Sequence, residues 1–208
     1  MLPLLLLATM ANAVAAPSPG EVSLRPVEQR LELELDPGAL TWSGSLLASV
    51  QVDGTGRRFA LRLSGPAVSR VEMTDERGHV ELAWGLDERG RLLVEAARPF
   101  APGPASLNVA FHGEWRTSGP GVARDSARTL AWLERGAGAA FPDWPQPSAT
   151  RWQLLVHAPR GFEVRASGRR TGIDGARGWR TWNFRTARAA PGDSLRVTVR
   201  RAAGPARR

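Results

Sequence analysis

Between Glu28 and Arg200, apolar and polar residues alternate with a period of two along most of the chain, as strands do when one face is buried and the other is wet. In EQRLELELD, Leu31, Leu33 and Leu35 alternate with Glu32 and Glu34, and the DPGA run at 36–39 turns the chain. The pattern returns over 40–52 and over 57–63, where Phe59, Leu61 and Leu63 share a face; Val68, Val71 and Met73 mark the next strand less cleanly. DERG occurs at 75–78 and again at 87–90, flanking HVELAWG with Val80, Leu82 and Trp84 on one side. This is the spacing of successive hairpin tips, with Gly supplying the positive φ that closes each turn. Further strands are predicted at 91–96, 106–112, 128–134, 150–158, 162–167, 178–186 and 194–200. Gly or Pro breaks nearly every run within about a dozen residues, so no capped amphipathic helix is predicted. The expectation is an all-β fold, an antiparallel β-sandwich of about a dozen short strands.

Length and composition bound this picture. A chain of 208 residues is long enough for one sizeable core, here placed over 21–200. Cysteine is absent, which excludes disulfides, thiolate zinc sites and Cys nucleophiles. The opening apolar run from Leu2 to Met10 is too short to span a bilayer, and A-x-A patterns follow at 11–13 and 13–15. Residues 1–16 therefore read as a signal peptide and the protein as exported, periplasmic or secreted, with an uncleaved N-terminal anchor as the alternative. Residues 201–208 read as a basic solvated tail. All 28 positive residues are Arg. Fourteen of them stand against 17 acids in residues 1–150, and fourteen against Glu163, Asp174 and Asp193 in 151–208, so the net +8 comes from −3 and +11. Such a field attracts anionic polymers or lipid without specifying one, and compositional bias on solvated positions accounts for it equally. No specific nucleic-acid partner is read from it.

The candidate chemistry is sparse. His79, His112 and His157 lie in no ligand-spaced pair, and each alternates within a predicted strand, so no metal and no other cofactor is expected. No G-x-S-x-G elbow, Walker loop or dinucleotide fingerprint occurs, and no catalytic residue is nominated. Glu32 and Glu34 read as solvated strand positions. Among the eight Trp, Trp42, Trp84, Trp132 and Trp152 fall near strand centres and read as core. Trp144 lies in a Pro-rich stretch, and Trp179 and Trp182 sit in GWRTWNFR beside Arg180 and Arg185. Core packing and a stacking or anion-binding surface both remain open for these.

In order along the chain, LELELDPGALTWSGSLLASVQVDG, FAPGPASLNVAFHGEW and LAWLERGAGAAFPDWPQPSATRWQLLVHAPRGFEVRASG resemble the N-terminal β domain of the aminopeptidase N family of zinc metallopeptidases, in particular its divergent Gly-rich branch. The likeness covers roughly residues 28–200 and implies a saddle-like β-sandwich that precedes a thermolysin-like catalytic domain. It also implies that Glu134 stands where family enzymes present a Glu or Gln to the free amine of a substrate. Phe141-Pro142 and Pro147 match the aromatic-Pro…Pro frame that follows, which makes Phe141, Asp143, Trp144 and Gln146 a candidate ligand loop. Asp143 replaces a usual Cys, Pro145-Gln146 replaces a usual Asp-Glu, and the step from Glu134 to Phe141 is one residue short.

The HExxH helix of that family does not occur in these 208 residues. The expectation is a non-catalytic exported β domain that binds or assists. One alternative is a truncated or split zinc aminopeptidase whose catalytic HExxH domain is on another chain; the partner expected is a separately encoded metallopeptidase or a membrane protein. Another is an envelope-associated module that holds anionic polymers through its Arg-rich quarter. Oligomeric state is not encoded legibly. Mass spectrometry of exported material is expected to find an N-terminus near residues 14–17; an intact Met1 would overturn the signal reading.

Overall fold

The computed structural model describes residues 20–88, 90–134, 138–145 and 148–202; the expected signal peptide, Gln146, Pro147 and residues 203–208 of the tail lie outside them. The described chain forms β1 (Ser23–Glu34), β2 (Thr41–Asp53), β3 (Arg58–Arg62), β4 (Ala67–Asp75), β5 (Gly78–Val80), β6 (Leu82–Leu86), β7 (Arg91–Ala96) and β8 (Gly103–Glu114). It continues with β9 (Gly121–Arg124), β10 (Leu130–Glu134), β11 (Arg151–Pro159), β12 (Phe162–Ala166), β13 (Arg169–Ala176), β14 (Trp179–Arg185) and β15 (Val197–Arg201), with one turn of 3₁₀ helix at Gly192–Ser194 before the last. The all-β expectation holds.

Three sheets share these strands. The broad one has the order β13-β14-β11-β1-β2-β8-β4-β5; a second is β12-β15-β10-β9, and a third is β3-β7-β6. Strict alternation in β1, β2, β8 and β11 sends Leu31, Leu33, Leu46, Ala48, Val50, Leu107, Val109, Leu154 and Val156 to one side, where all are buried. The same core takes Phe59 and Leu61 from the three-stranded sheet and Ala131, Leu133, Val197 and Val199 from the four-stranded one. One interior thus serves all three sheets.

The structure differs from the sequence reading at identifiable points. The sandwich is not wholly antiparallel, because β1 and β11 pair in parallel from Glu28↔Arg151 to Glu34↔His157. Both strands alternate cleanly, and alternation alone does not distinguish the two ladders. HVELAWG is two strands, since β5 ends at Val80 in the broad sheet and β6 starts at Leu82 in the three-stranded one. Trp84 is consequently 41% exposed and Trp132 half-buried, whereas Trp42 and Trp152 are core as expected. The weak pattern at Val68–Met73 has a cause in a register shift between Val68 and Arg70. β9 and β13 were not predicted, since GVAR is short and RRTGIDGA carries no apolar alternation.

The turn after β4 holds a buried carboxylate. The Asp75 side chain is fully enclosed and accepts from Arg98 through both oxygens, at 2.6 and 2.8 Å, and from the N–H groups of Arg77 and Ala101, each at 2.9 Å. These donors, Arg98 above all, hold its carboxyl well below the ordinary value of 3.8 against the opposing effect of burial. A depressed carboxylate pKa stabilises the fold above the unfolded value, and that contribution is lost as the pH falls below 3.8. Asp75→Asn is expected to cost about 1–2 kcal/mol, moderated by the water-exposed outer side of Arg98. Thermal melts should show a lowered Tm at pH 7 and a gap from the parent that narrows below pH 4; a constant gap would contradict the assignment.

Candidate functional site

Antiparallel pairing with β15 and β9 positions Glu134, the last residue of β10, opposite Gly121. Ala131 and Leu133 point into the core, so the strand is firmly seated while Glu134 stands exposed. No cation pairs with its carboxylate among the described residues. Residues 135–137 lie outside the described chain; from Gly138 the path is again defined.

Residues 138–145 are clamped to all three sheets. Gly138 has φ +75, its N–H donates to the Phe141 carbonyl at 2.9 Å, and its carbonyl accepts from the Ser64 backbone and hydroxyl. The Ala139 carbonyl rests so close to Gly65 and Gly121 that a Cβ at either would lie 2.7 Å from the oxygen. Gly121 also sits at φ +103 in the four-stranded sheet. Asp143 exchanges both backbone hydrogen bonds with Arg62 of β3, at 2.7 and 3.0 Å, and its carboxylate accepts from the Arg62 guanidinium. Phe141 is buried edge-on against Trp152, with ring centroids 5.6 Å apart.

Trp144 makes the third attachment. Its indole N–H donates to Gln29 Oε1 at 2.9 Å, and Gln29 Nε2 donates to Thr150 Oγ1 at 2.6 Å; Gln29, Trp144 and Thr150 are all buried. Thr150 bridges backbone to backbone with Ala190, whose carbonyl also accepts from the Trp152 indole at 2.9 Å. Gln29 was missed by the sequence reading although its signal was present. It lies in phase with Leu31, Leu33 and Leu35, a polar residue on the buried face of its strand.

The candidate loop residues are thus distributed unevenly. Phe141, Asp143 and Trp144 are buried, with at most 5% of their surface exposed, and Gln146 lies outside the described residues. Arg180 and Arg185 are both exposed on β14, but five residues apart they face opposite sides of the sheet and form no single pocket. A depression of about 410 Å³ lined by Val27, Ser49, Thr74, Glu76, Pro104 and Ser106 does not include Glu134 or its loop. Among the described residues no group of three His or acidic side chains is placed to hold a metal. His157 Nε2 lies 2.7 Å from Glu32 and its Nδ1 2.8 Å from Thr181, a hydrogen-bonded row on a strand face.

No protein-family model and no curated protein matches the chain. Solved structures do. An M1 zinc metallopeptidase from Deinococcus radiodurans superposes with a TM-score of 0.71 at 23% identity, covering 86% of this chain and 42% of the other. A two-domain M1 zinc metallopeptidase mutant bound to L-arginine gives 0.69 at 24%, again over 86% and 42%, and one bound to L-tryptophan gives 0.67 at 23%, over 90% and 45%. The chain has the fold of part of these metallopeptidases and spans less than half their length. The resemblance to the family's N-terminal β domain therefore holds at the level of fold.

The clamp has a pH signature opposite to that of Asp75. Burial pushes the Asp143 carboxyl above its ordinary value of 3.8, and the Arg62 guanidinium and the backbone N–H of Trp144 pull it only part of the way back. A raised carboxyl pKa means that the native state holds the proton more tightly, so the contribution of Asp143 falls as pH rises from 3.8 through the raised value. Asp143→Asn is expected to gain stability relative to the parent over that rise, whereas Gly121→Ala should lose about 2–3 kcal/mol at every pH through strain and the clash with Ala139. Denaturant melts from pH 3 to 7 check both; a Gly121→Ala variant as stable as the parent would show that the clamp is loose.

Proposed function

We propose that this chain is a non-catalytic β domain of the M1 metallopeptidase type, a binding or accessory module that offers Glu134 to the free amine of a peptide. The observation that supports it best is the exposed carboxylate at the end of a strand whose continuation is fastened to three sheets. An exposed carboxylate that meets no cation among the described residues, on a firmly seated strand, is suited to hold an ammonium group. Structures that share the fold hold compatible ligands: a Tyr-Ser-Ala substrate, L-arginine and L-tryptophan all carry a free α-amine. Bond breaking in this reading belongs to a zinc-bearing catalytic domain against which the module packs, on this polypeptide or on another.

Isothermal calorimetry with a free-amine tripeptide and its N-acetylated counterpart is the direct test. The free amine is expected to bind and the acetylated form not, with Glu134→Gln weakening the former by about three- to tenfold. Equal binding of the two peptides, or none by either, would sink the proposal. Co-purification with a chain bearing HExxH is the expected partner result.

A further inference from the structure

β13 ends the eight-stranded sheet, and its outer edge pairs with no strand among the described residues. Every residue of it except Gly172 is exposed. An open edge of this length is a row of unpaired N–H and C=O groups, able to accept an extended chain unless something prevents it. Here the selecting feature is charge. Residues 169–185 hold five arginines against one acid, Asp174. Arg169 stands directly opposite Arg185 in the register, a like-charge pair that sheets ordinarily avoid. Arg177 takes φ +46 at the hairpin tip, where Asn or Gly is at ease, and the Arg160 N–H donates to Gly178 at 2.7 Å, bringing another arginine to the tip. None of these arginines joins an ion pair among the described residues.

The placement of these charges discriminates among partners. A second copy adding edge to edge would set arginines against arginines. A lipid surface or a flat polyanion would meet one side of the sheet, yet Arg170 and Arg180 share the face of Phe184 and Trp182, while Arg169 and Arg185 share the other. A strand lying in the plane of the sheet presents alternate side chains to both faces at once. We propose that β13 receives an extended acidic polypeptide segment by strand addition, its backbone bonding to the open edge and its carboxylates meeting arginines above and below. The register shift at Thr171 limits the regular ladder to Gly172–Ala176, with Arg169 and Arg170 at one end and Arg177 at the other.

The test uses the full chain and a labelled peptide of about ten residues that alternates Glu with Val, read by fluorescence anisotropy and by hydrogen exchange at 169–176. Binding is expected together with protection of those amides. The Arg169→Ser/Arg170→Ser double variant should lose about tenfold or more in affinity, and a control of equal charge loss, Arg25→Ser/Arg70→Ser, should stay within about twofold. No binding, binding without protection at 169–176, or equal binding of a same-charge peptide with proline at alternate positions would each overturn the proposal. A preference for anionic phosphatidylglycerol vesicles over the peptide, with the ribbon amides unprotected, would assign the arginines to a membrane instead. The proline peptide keeps the test valid even if the double variant does not fold.

Discussion

Removing Gln29 from water is the step on which the rest of this architecture depends. A primary amide enclosed beneath a sheet must satisfy both its oxygen and its nitrogen, and here it does so with Trp144 on one side and Thr150 on the other. Those two partners come from the segment after β10 and from the lead-in to β11. One side chain on β1 therefore fixes where both segments run. With Arg62 and Asp143 fastening the same segment to the three-stranded sheet, and Gly121 admitting it beside the four-stranded one, three separate ladders are held as one body. Apolar burial supplies the larger part of the stabilisation, but it is non-directional. The hydrogen bonds determine which arrangement of sheets is the native one.

Two buried carboxylates show how differently the fold treats the same group. Asp75 meets two guanidinium nitrogens and two backbone amides and is comfortable as an anion. Asp143 is buried with a single guanidinium partner, whose own Nε lies buried without an acceptor among the described residues, and desolvation dominates. Their opposite pH slopes lie in adjoining windows, Asp75 acting below 3.8 and Asp143 above it, so together the two groups favour the native state most near that value.

Much of this was legible in the sequence because period-two alternation is a direct readout of a half-buried strand. The apolar strands β1, β2, β8 and β11 announced themselves. What stayed hidden was relational. Leucines in β1 look the same whether the neighbour runs parallel or antiparallel, and HVELAWG keeps its alternation across the point where the chain leaves one sheet for another. β13 was invisible because arginine and glycine on an exposed edge carry no periodicity. Of the candidate site, Glu134 could be placed at a strand end from WLE alone. The burial of Phe141 and Trp144 could not, since a Pro-rich stretch with aromatics reads equally as a loop and as a plug. Gln29 was readable in principle: a polar side chain in phase with leucines requires a buried partner, and Trp144 is the unexplained indole.

The fold likeness at 23% identity has a physical interpretation in these terms. What two chains can share at that level is the arrangement of buried faces and the close approaches that only glycine permits, because each constrains geometry through a few atoms. Surface charge is under no such constraint. The arginines of β13 and β14 are accordingly a surface on which this chain is free to differ from others of the same fold, whereas Glu134 stands where the resemblance implies a position held in common. Arginine facing arginine across two such edges opposes their direct pairing, so the charge on this edge works against its own self-association.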